Sequence, residues 1–321
     1  MKFIVRVILF TSLFSCWSGV DQCFAQSDSV KTILSADHVG DAPTDTLTSS
    51  LLMMMQPGDN HHEVDKGRLA IIGGTMIAAM GTIAIYQSNG YWKDNRAPFH
   101  FREDLSYSLW VDKVAHFWDT ALLGIILAKS FEWAGMDEGE AVWWGAGSSL
   151  LFNTYTEVQD GLSLWGFDRV DWLADVGGAG WLVGKHYWPA MEPFDLKWSY
   201  IPSQNLDKAG AFAGQRHLIF DDYEGFTFWL SIKVNSLLPE NAKPYWPDFL
   251  AIAVGYGARD ILLDPHQVWY LSFDWDMEKV IPQDTWFLRA LSQTLNYIHF
   301  PAPAVRIAPG RPIWYGIYFG N

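Results

Sequence analysis

Leu69 to Tyr86 runs for 18 residues without a charge, with Gly73, Gly74, Ala78, Ala79 and Gly81 spaced along it. That length sits at the lower edge for a membrane helix, and the small residues would let helices pack closely in lipid. A buried hairpin helix of a soluble bundle gives the same pattern; the reading leans towards contact with a bilayer. Three further helices are predicted. One spans Asp112 to Trp133. One spans Glu138 to Thr156, opened by Asp137-x-x-Glu140 in the manner of a capping box. One spans Arg169 to Tyr187, opened by Asp168 and ended before Pro189. Ala141, Gly145 and Ser149 on the third helix, and Gly180 and Gly184 on the fourth, mark expected packing faces.

From Asp195 onward the period changes to two. Phe226, Phe228, Leu230, Ile232 and Val234 alternate with Thr227, Trp229, Ser231, Lys233 and Asn235, which predicts a strand with one apolar face. Phe249–Gly257, Val268–Met277 and Trp314–Gly320 also read as strands, and Thr285–Tyr297 as an amphipathic helix. Long strands ending in Tyr318-Phe319 point to an outer-membrane-like sheet, with too few strands for a complete barrel. The predicted class is α+β: a bundle of about four short, partly membrane-type helices over 68–190, followed by a β-rich region over 191–321.

The first 26 residues read as an export signal: Lys2 and Arg6, an apolar run from Phe3 to Phe14, and Cys23-Phe24-Ala25 before Gln26 as the cleavage point. Leu13-Phe14-Ser15-Cys16 is an alternative lipoprotein box that would leave Cys16 lipidated. Residues 27–67, rich in Ser, Thr and Asp, read as a flexible linker, and His61-His62 as part of a solvated loop. Both cysteines lie in the signal, so no disulfide framework is expected.

Composition narrows the function class. Half of the 321 residues are hydrophobic, with 18 Trp, 13 Tyr and 20 Phe, a load suited to the water–lipid boundary. A net charge of −14 argues against nucleic acid as a partner. The basic 87–111 loop (Lys93, Arg96, Arg102) and the acidic 132–140 loop follow the positive-inside tendency for four spans, while Lys66 and Arg68 oppose it.

The informative polar residues lie within these apolar helices. Residues four apart share a helix face, so Asp112, His116 and Asp119 form one stripe, Asn153, Glu157 and Asp160 a second, and Asp171 and Asp175 a third. Short loops make sequential helices antiparallel. The start of the second helix, the end of the third and the start of the fourth then meet at one end of the bundle. Carboxylates gathered round one histidine drive it towards its protonated form and at least one carboxyl towards its neutral form, with Lys113 and Arg169 available to balance charge.

Helix capping and ion pairing explain much of this, since Asp112 and Asp168 suit helix starts. His116, Glu157 and Asp175 together exceed what capping explains. Three readings stay open. The chain is a structural or interaction protein of the cell envelope, associated with membrane lipid and with other envelope proteins. Alternatively, it is an envelope lipid- or glycan-modifying enzyme that uses His116 with a carboxylate as base and acid. In the third, His116, Glu157 and an Asp such as Asp175 hold a divalent metal of the Zn, Mn or Fe type. The chain carries no His-Glu-x-x-His and no Gly-x-Ser-x-Gly.

Asp112-Lys113-x-x-His116-Phe117, Glu157-x-x-Asp160, and Gly166-Phe167-x-x-x-Asp171-x-x-x-Asp175 with Gly177-Gly178 resemble the YfiM-type family of predicted periplasmic lipoproteins, a domain of unknown function. The resemblance covers about residues 108–185, and the C-terminal half is similar to the extension of longer Bacteroidetes-type members. The core is more distantly similar to VanZ-like membrane proteins, with Asp160 where that pattern has glutamine. The resemblance implies a bacterial cell envelope location with periplasmic exposure, and it brings no established activity.

Overall fold

The computed structural model describes residues 63–89, 92–93, 95–206, 219 and 222–319. The expected signal, Cys16, Cys23, His61-His62 and most of the expected linker lie outside them. Before the sheet come helices α1 (Lys66–Asn89), α2 (Val111–Trp133), α3 (Glu138–Gly161) and α4 (Arg169–Tyr187). Then follow β1 (Phe194–Tyr200), β2 (Phe226–Ile232), the single turn α5 (Val234–Leu237), β3 (Leu250–Arg259) and β4 (His266–Trp275). The turn α6 (Met277–Val280), helix α7 (Trp286–Leu295), β5 (Ala302–Ala308) and β6 (Ile313–Tyr318) complete the order. The α+β class follows directly.

Helix α2 is the hub, because its neighbours present backbone rather than side chains. A Cβ on Gly145 of α3 would lie 2.5 Å from Gly124 O, and one on Gly178 of α4 only 2.2 Å from Phe117 O. Gly178, not Gly180, is therefore the packing glycine of α4: Gly180 is exposed with open space around it. The reason is the 3.6 period, which puts Gly178 on the face of Asp171, Asp175 and Leu182. Helix α1 touches the bundle through Ile72, Leu69 and Met76, which meet Leu127, Phe131 and Ala134. Ile71, Ile77 and Ile85 stay exposed. By length and composition alone, α1 and the stretch Tyr107–Trp133 are apolar enough to cross a bilayer, but nearly half of the latter's apolar window is buried.

The sheet is an antiparallel meander in the order β1 to β6. Phe226 and Phe228 pack on α2 at Val111, Trp118 and Ala121, as alternation predicts. Beyond that contact the alternation inverts. One row across five strands reads Leu230, Val254, Leu271, Val305 and Trp314, and Leu230 is 40%, Leu271 46% and Trp314 81% exposed. The adjoining row, Ser231, Ala253, Ser272, Ala304 and Tyr315, faces the other way, and its first four members are buried. Trp229, Tyr270 and Tyr318 form an aromatic cluster with Ala253 and Ala304 on that enclosed side. The polar alternates Thr227, Ser231 and Lys233 are thus buried.

Strands β1 and β5 are absent from the expectation. Pro303 interrupts β5 and breaks its pattern, and it sits where the β5–β6 register shifts, the position a sheet tolerates for proline. Two expected caps differ as well. Asp137 precedes α3 without a side-chain cap bond, and Trp110, not Asp112, is the cap residue of α2. Asp168 does cap α4, accepting from Val170 N at 2.7 Å.

Candidate functional site

The chain enters α2 through Ser108, Leu109 and Trp110, three consecutive non-glycine residues at φ 47, 51 and 72°. Such left-handed residues cost roughly 1–2 kcal/mol each, so tertiary contacts must hold them. Tyr256 OH donates to Leu109 O, Ser108 is buried, and the Tyr107 and Tyr223 rings meet edge to face. The result is a helix start that delivers Asp112, Lys113 and His116 to the interior of the bundle. Gly166, at φ +82°, turns the α3–α4 loop where a Cβ would lie 2.5 Å from that of Arg102. That turn brings Asp168, Asp171 and Asp175 against the same pole.

All six residues read from the sequence meet there. His116 Nδ1 lies 3.2 Å from Asp175 Oδ1, while Nε2 lies 3.7 Å from Glu157 Oε1 and 3.9 Å from Asp112 Oδ1. Asp171 reaches the same group through Lys113, whose Nζ also binds Asp104, Asp112 and Asp168 at 2.5–3.2 Å. Asp160, at the end of α3, accepts from Trp92 Nε1 at 2.6 Å. Arg169 does not share in the charge balance: it is exposed and pairs with Glu103. Asp119 of the first stripe is exposed, yet it hydrogen-bonds with Asn153 close to Asp175 and His116.

Several functional partners were not foreseen. Tyr223 OH donates to Asp112. Thr120 donates to Asp175 at 2.8 Å and in turn accepts from Asn153 at 2.6 Å. Asp104 belongs to a run, Arg102-Glu103-Asp104, that reads as solvated loop, and Tyr223 lies more than 100 residues from Asp112 in the chain. No spacing rule connects either of them to α2.

The electrostatics follow from crowding under burial. Burial opposes charge on Lys113, but Asp112, Asp171 and the hydrogen bond to Asp104 outweigh it and raise its pKa. Burial likewise opposes charge on His116, and Asp175, Asp112 and Asp171 hold it well above its ordinary value. Asp112, opposed by burial but favoured by His116, Lys113 and Tyr223, is lowered. Burial pushes Glu157 up to about 9, with His116 opposing and Asp160, Asp171 and Asp175 reinforcing. Burial and then Asp112 push Asp171 up to about 8. Burial raises Asp160 to about 7 against the pull of Trp92. One carboxylate is thus held ionised beside two that retain protons, chiefly because they are buried and secondarily because neighbouring carboxylates oppose a further negative charge.

Two triplets here have ligand atoms within 4.8 Å of one another: Asp112, His116 and Asp171, and Asp104, Asp168 and Asp171. Lys113 Nζ bonds all three carboxylates of the second, so an ammonium already serves that group. The first triplet shares Asp112 and Asp171 with Lys113 Nζ, at 2.9 and 3.1 Å, and adds His116, which gives it one imidazole with two carboxylates, a donor set of a divalent metal. Asp175 stands on the far nitrogen of His116, where metal-binding histidines commonly meet a carboxylate. The Asp175 Oδ2 atom accepts no hydrogen bond although the residue is fully buried.

Fold and site together define an α+β protein with an acidic, histidine-centred polar group at one pole of a helical bundle. Comparison with known proteins finds no matching family, no matching curated protein and no matching solved structure.

Proposed function

We propose that this chain is a cell-envelope protein associated with membrane lipid, and that its bundle carries a divalent-metal centre ligated by Asp112, His116 and Asp171, with Glu157 beside it. The observation that carries the reading is the convergence of those three ligand atoms within 4.8 Å while Asp175 takes the other imidazole nitrogen. A cation bound at ~2.1 Å from each ligand would replace the protons that Glu157 and Asp171 retain, and so relieve the crowding without unpaired charge. Its support for membrane association is the uncharged Leu69–Tyr86 stretch of α1 together with the exposed row Leu230, Leu271 and Trp314. A sheet that leaves Leu230, Leu271 and Trp314 exposed while enclosing Ser231 and Ser272 on its other face suits lipid better than water. The YfiM-type resemblance points to the same compartment.

The test is metal analysis and titration calorimetry of detergent-purified protein with Mn2+ and Zn2+. One equivalent is expected, lost in His116→Ala and Asp112→Asn. Folded protein that takes up neither ion would end the proposal and leave the structural account, an ion-pair network in an interaction protein. A second reading, acid–base catalysis on an envelope lipid or glycan, draws on the opposed displacement of Asp112 and Glu157. It requires metal-independent turnover that disappears in Glu157→Gln.

A further inference from the structure

The sheet has two edges, and the chain treats them differently. At β1, Trp198 N donates to Tyr297 O at 3.0 Å and His299 N donates to Trp198 O at 2.9 Å, so the segment that follows α7 covers that edge. Among the described residues no strand lies beyond β6. An open edge presents unpaired N–H and C=O groups, and proteins commonly blunt it with charge or proline. Ile313–Tyr318 carries neither, and Trp314, Ile317 and the following Phe319 are 81, 60 and 59% exposed. With the outward row of the sheet in lipid, an open edge is costlier still, because hydrocarbon holds no water to satisfy it.

The strand also matches itself. From Tyr315 to Tyr318, β6 advances three residues while β5 moves only two, from Ala304 to Ala302. That extra residue puts both tyrosines, with rings 5.2 Å apart, on the enclosed aromatic cluster. It also leaves Trp314 and Ile317 together on the outer face, where regular alternation would separate them. Directly opposed residues of an antiparallel pair share a face. A two-fold axis between Tyr315 and Gly316 therefore sets Trp314 of one strand opposite Ile317 of the other. It sets Tyr315 opposite Gly316 and Ile313 opposite Tyr318. The first is an aromatic–β-branched pair, a favourable cross-strand combination. The second lays an aromatic ring over a glycine, which supplies no packing of its own.

We propose that β6 pairs antiparallel with β6 of a second copy of this chain, joining the two sheets across one two-fold axis. The contact is isologous, and the covered β1 edge leaves nothing for a third copy to add to, so the assembly closes at two. The interface is separate from the His116 group.

The test is the mass of the full chain in mild detergent, measured by light scattering over a dilution series. A two-chain particle is expected. Ile317→Lys and Trp314→Lys each place a charge in the pair, twice over by symmetry, and should raise the dissociation constant about tenfold. Both positions are exposed in the single chain, so circular dichroism should be unchanged. Leu271→Lys, in the outward row but away from the edge, should leave the mass unaltered, so that pairing and lipid binding are read separately. In a Cys16→Ser, Cys23→Ser background, Trp314→Cys and Ile317→Cys introduced together should cross-link two copies on oxidation, whereas Trp314→Cys alone should not. A single-chain mass at the highest concentration would give the edge to another segment or another protein and overturn the proposal. An unaltered dissociation constant in both lysine variants, or a dimer that the paired cysteines fail to cross-link, would overturn it as well.

Discussion

Asp175→Asn separates a metal centre from a structural network. The substitution is nearly isosteric at a fully buried position. Asp175 Oδ1 serves both His116 Nδ1, at 3.2 Å, and Thr120 Oγ1, at 2.8 Å, while Oδ2 accepts no hydrogen bond. An amide that keeps its oxygen in the Oδ1 place retains both bonds and puts its NH2 where nothing is lost. Only the negative charge on the far side of the imidazole disappears. Removing such an outer partner typically weakens metal affinity 10–100-fold, or about 1.4–2.7 kcal/mol. The unliganded fold should change less. A buried amide N–H without an acceptor costs ~1–3 kcal/mol, and loss of one negative charge from a crowded group offsets part of that. The assay is a thermal melt with and without metal. At 100 times the wild-type Kd, bound metal stabilises wild type by about 2.7 kcal/mol, and a variant binding 100-fold more weakly retains only about 0.4 kcal/mol. A folded Asp175→Asn protein with wild-type metal affinity would refute the assignment of Asp175 to His116 as metal support.

Three further outcomes are expected. Burial lowers the pKa of His299, stacked 3.9 Å from Trp229, from 6.5 to about 4. The unfolded chain therefore binds the proton first, and this contribution is complete above pH 6.5 and lost as pH falls towards 4. The loss is up to about 3 kcal/mol, and His299→Phe should flatten that part of the stability–pH curve measured by denaturant melts. Gly178→Ala forces a Cβ against Phe117 O and should cost ~1–3 kcal/mol, whereas Gly180→Ala, facing open space, should be neutral or stabilising by up to ~1 kcal/mol; equal melting temperatures would contradict the α2–α4 contact. Leu271→Lys places a charge in the exposed sheet row and should reduce flotation with lipid vesicles while leaving circular dichroism unchanged. Undiminished flotation would remove the sheet from the membrane contact.

The helical pole was legible because local rules determine it. The small residues Ala141, Gly145 and Ser149 and the cap Asp168 marked packing faces and one start, and α4 runs over the span they predict. Helix α3 continues past the expected Thr156 to Gly161, which keeps Glu157 and Asp160 on its last turn and on one face. Antiparallel connectivity then places the three stripes at one end, as observed for His116, Glu157 and Asp175. The sheet was less legible. Period two reveals that a strand has two faces, but not which face is enclosed. That choice was made by α2 covering Phe226 and Phe228 at one end while the row of small residues Ser231, Ala253, Ser272 and Ala304 was enclosed elsewhere.

Helix positions, the α+β order and the gathering of acids round His116 were written in spacing, since they depend on periodicity and on loops too short to allow another arrangement. Which side chains share charge did not follow from spacing. Lys113 took Asp104 and Asp168, Tyr223 reached Asp112, and Arg169 turned out to Glu103. Coulomb energy and hydrogen bonding act over a few ångströms of space whatever the distance along the chain, so those partnerships exist only once the chain has folded.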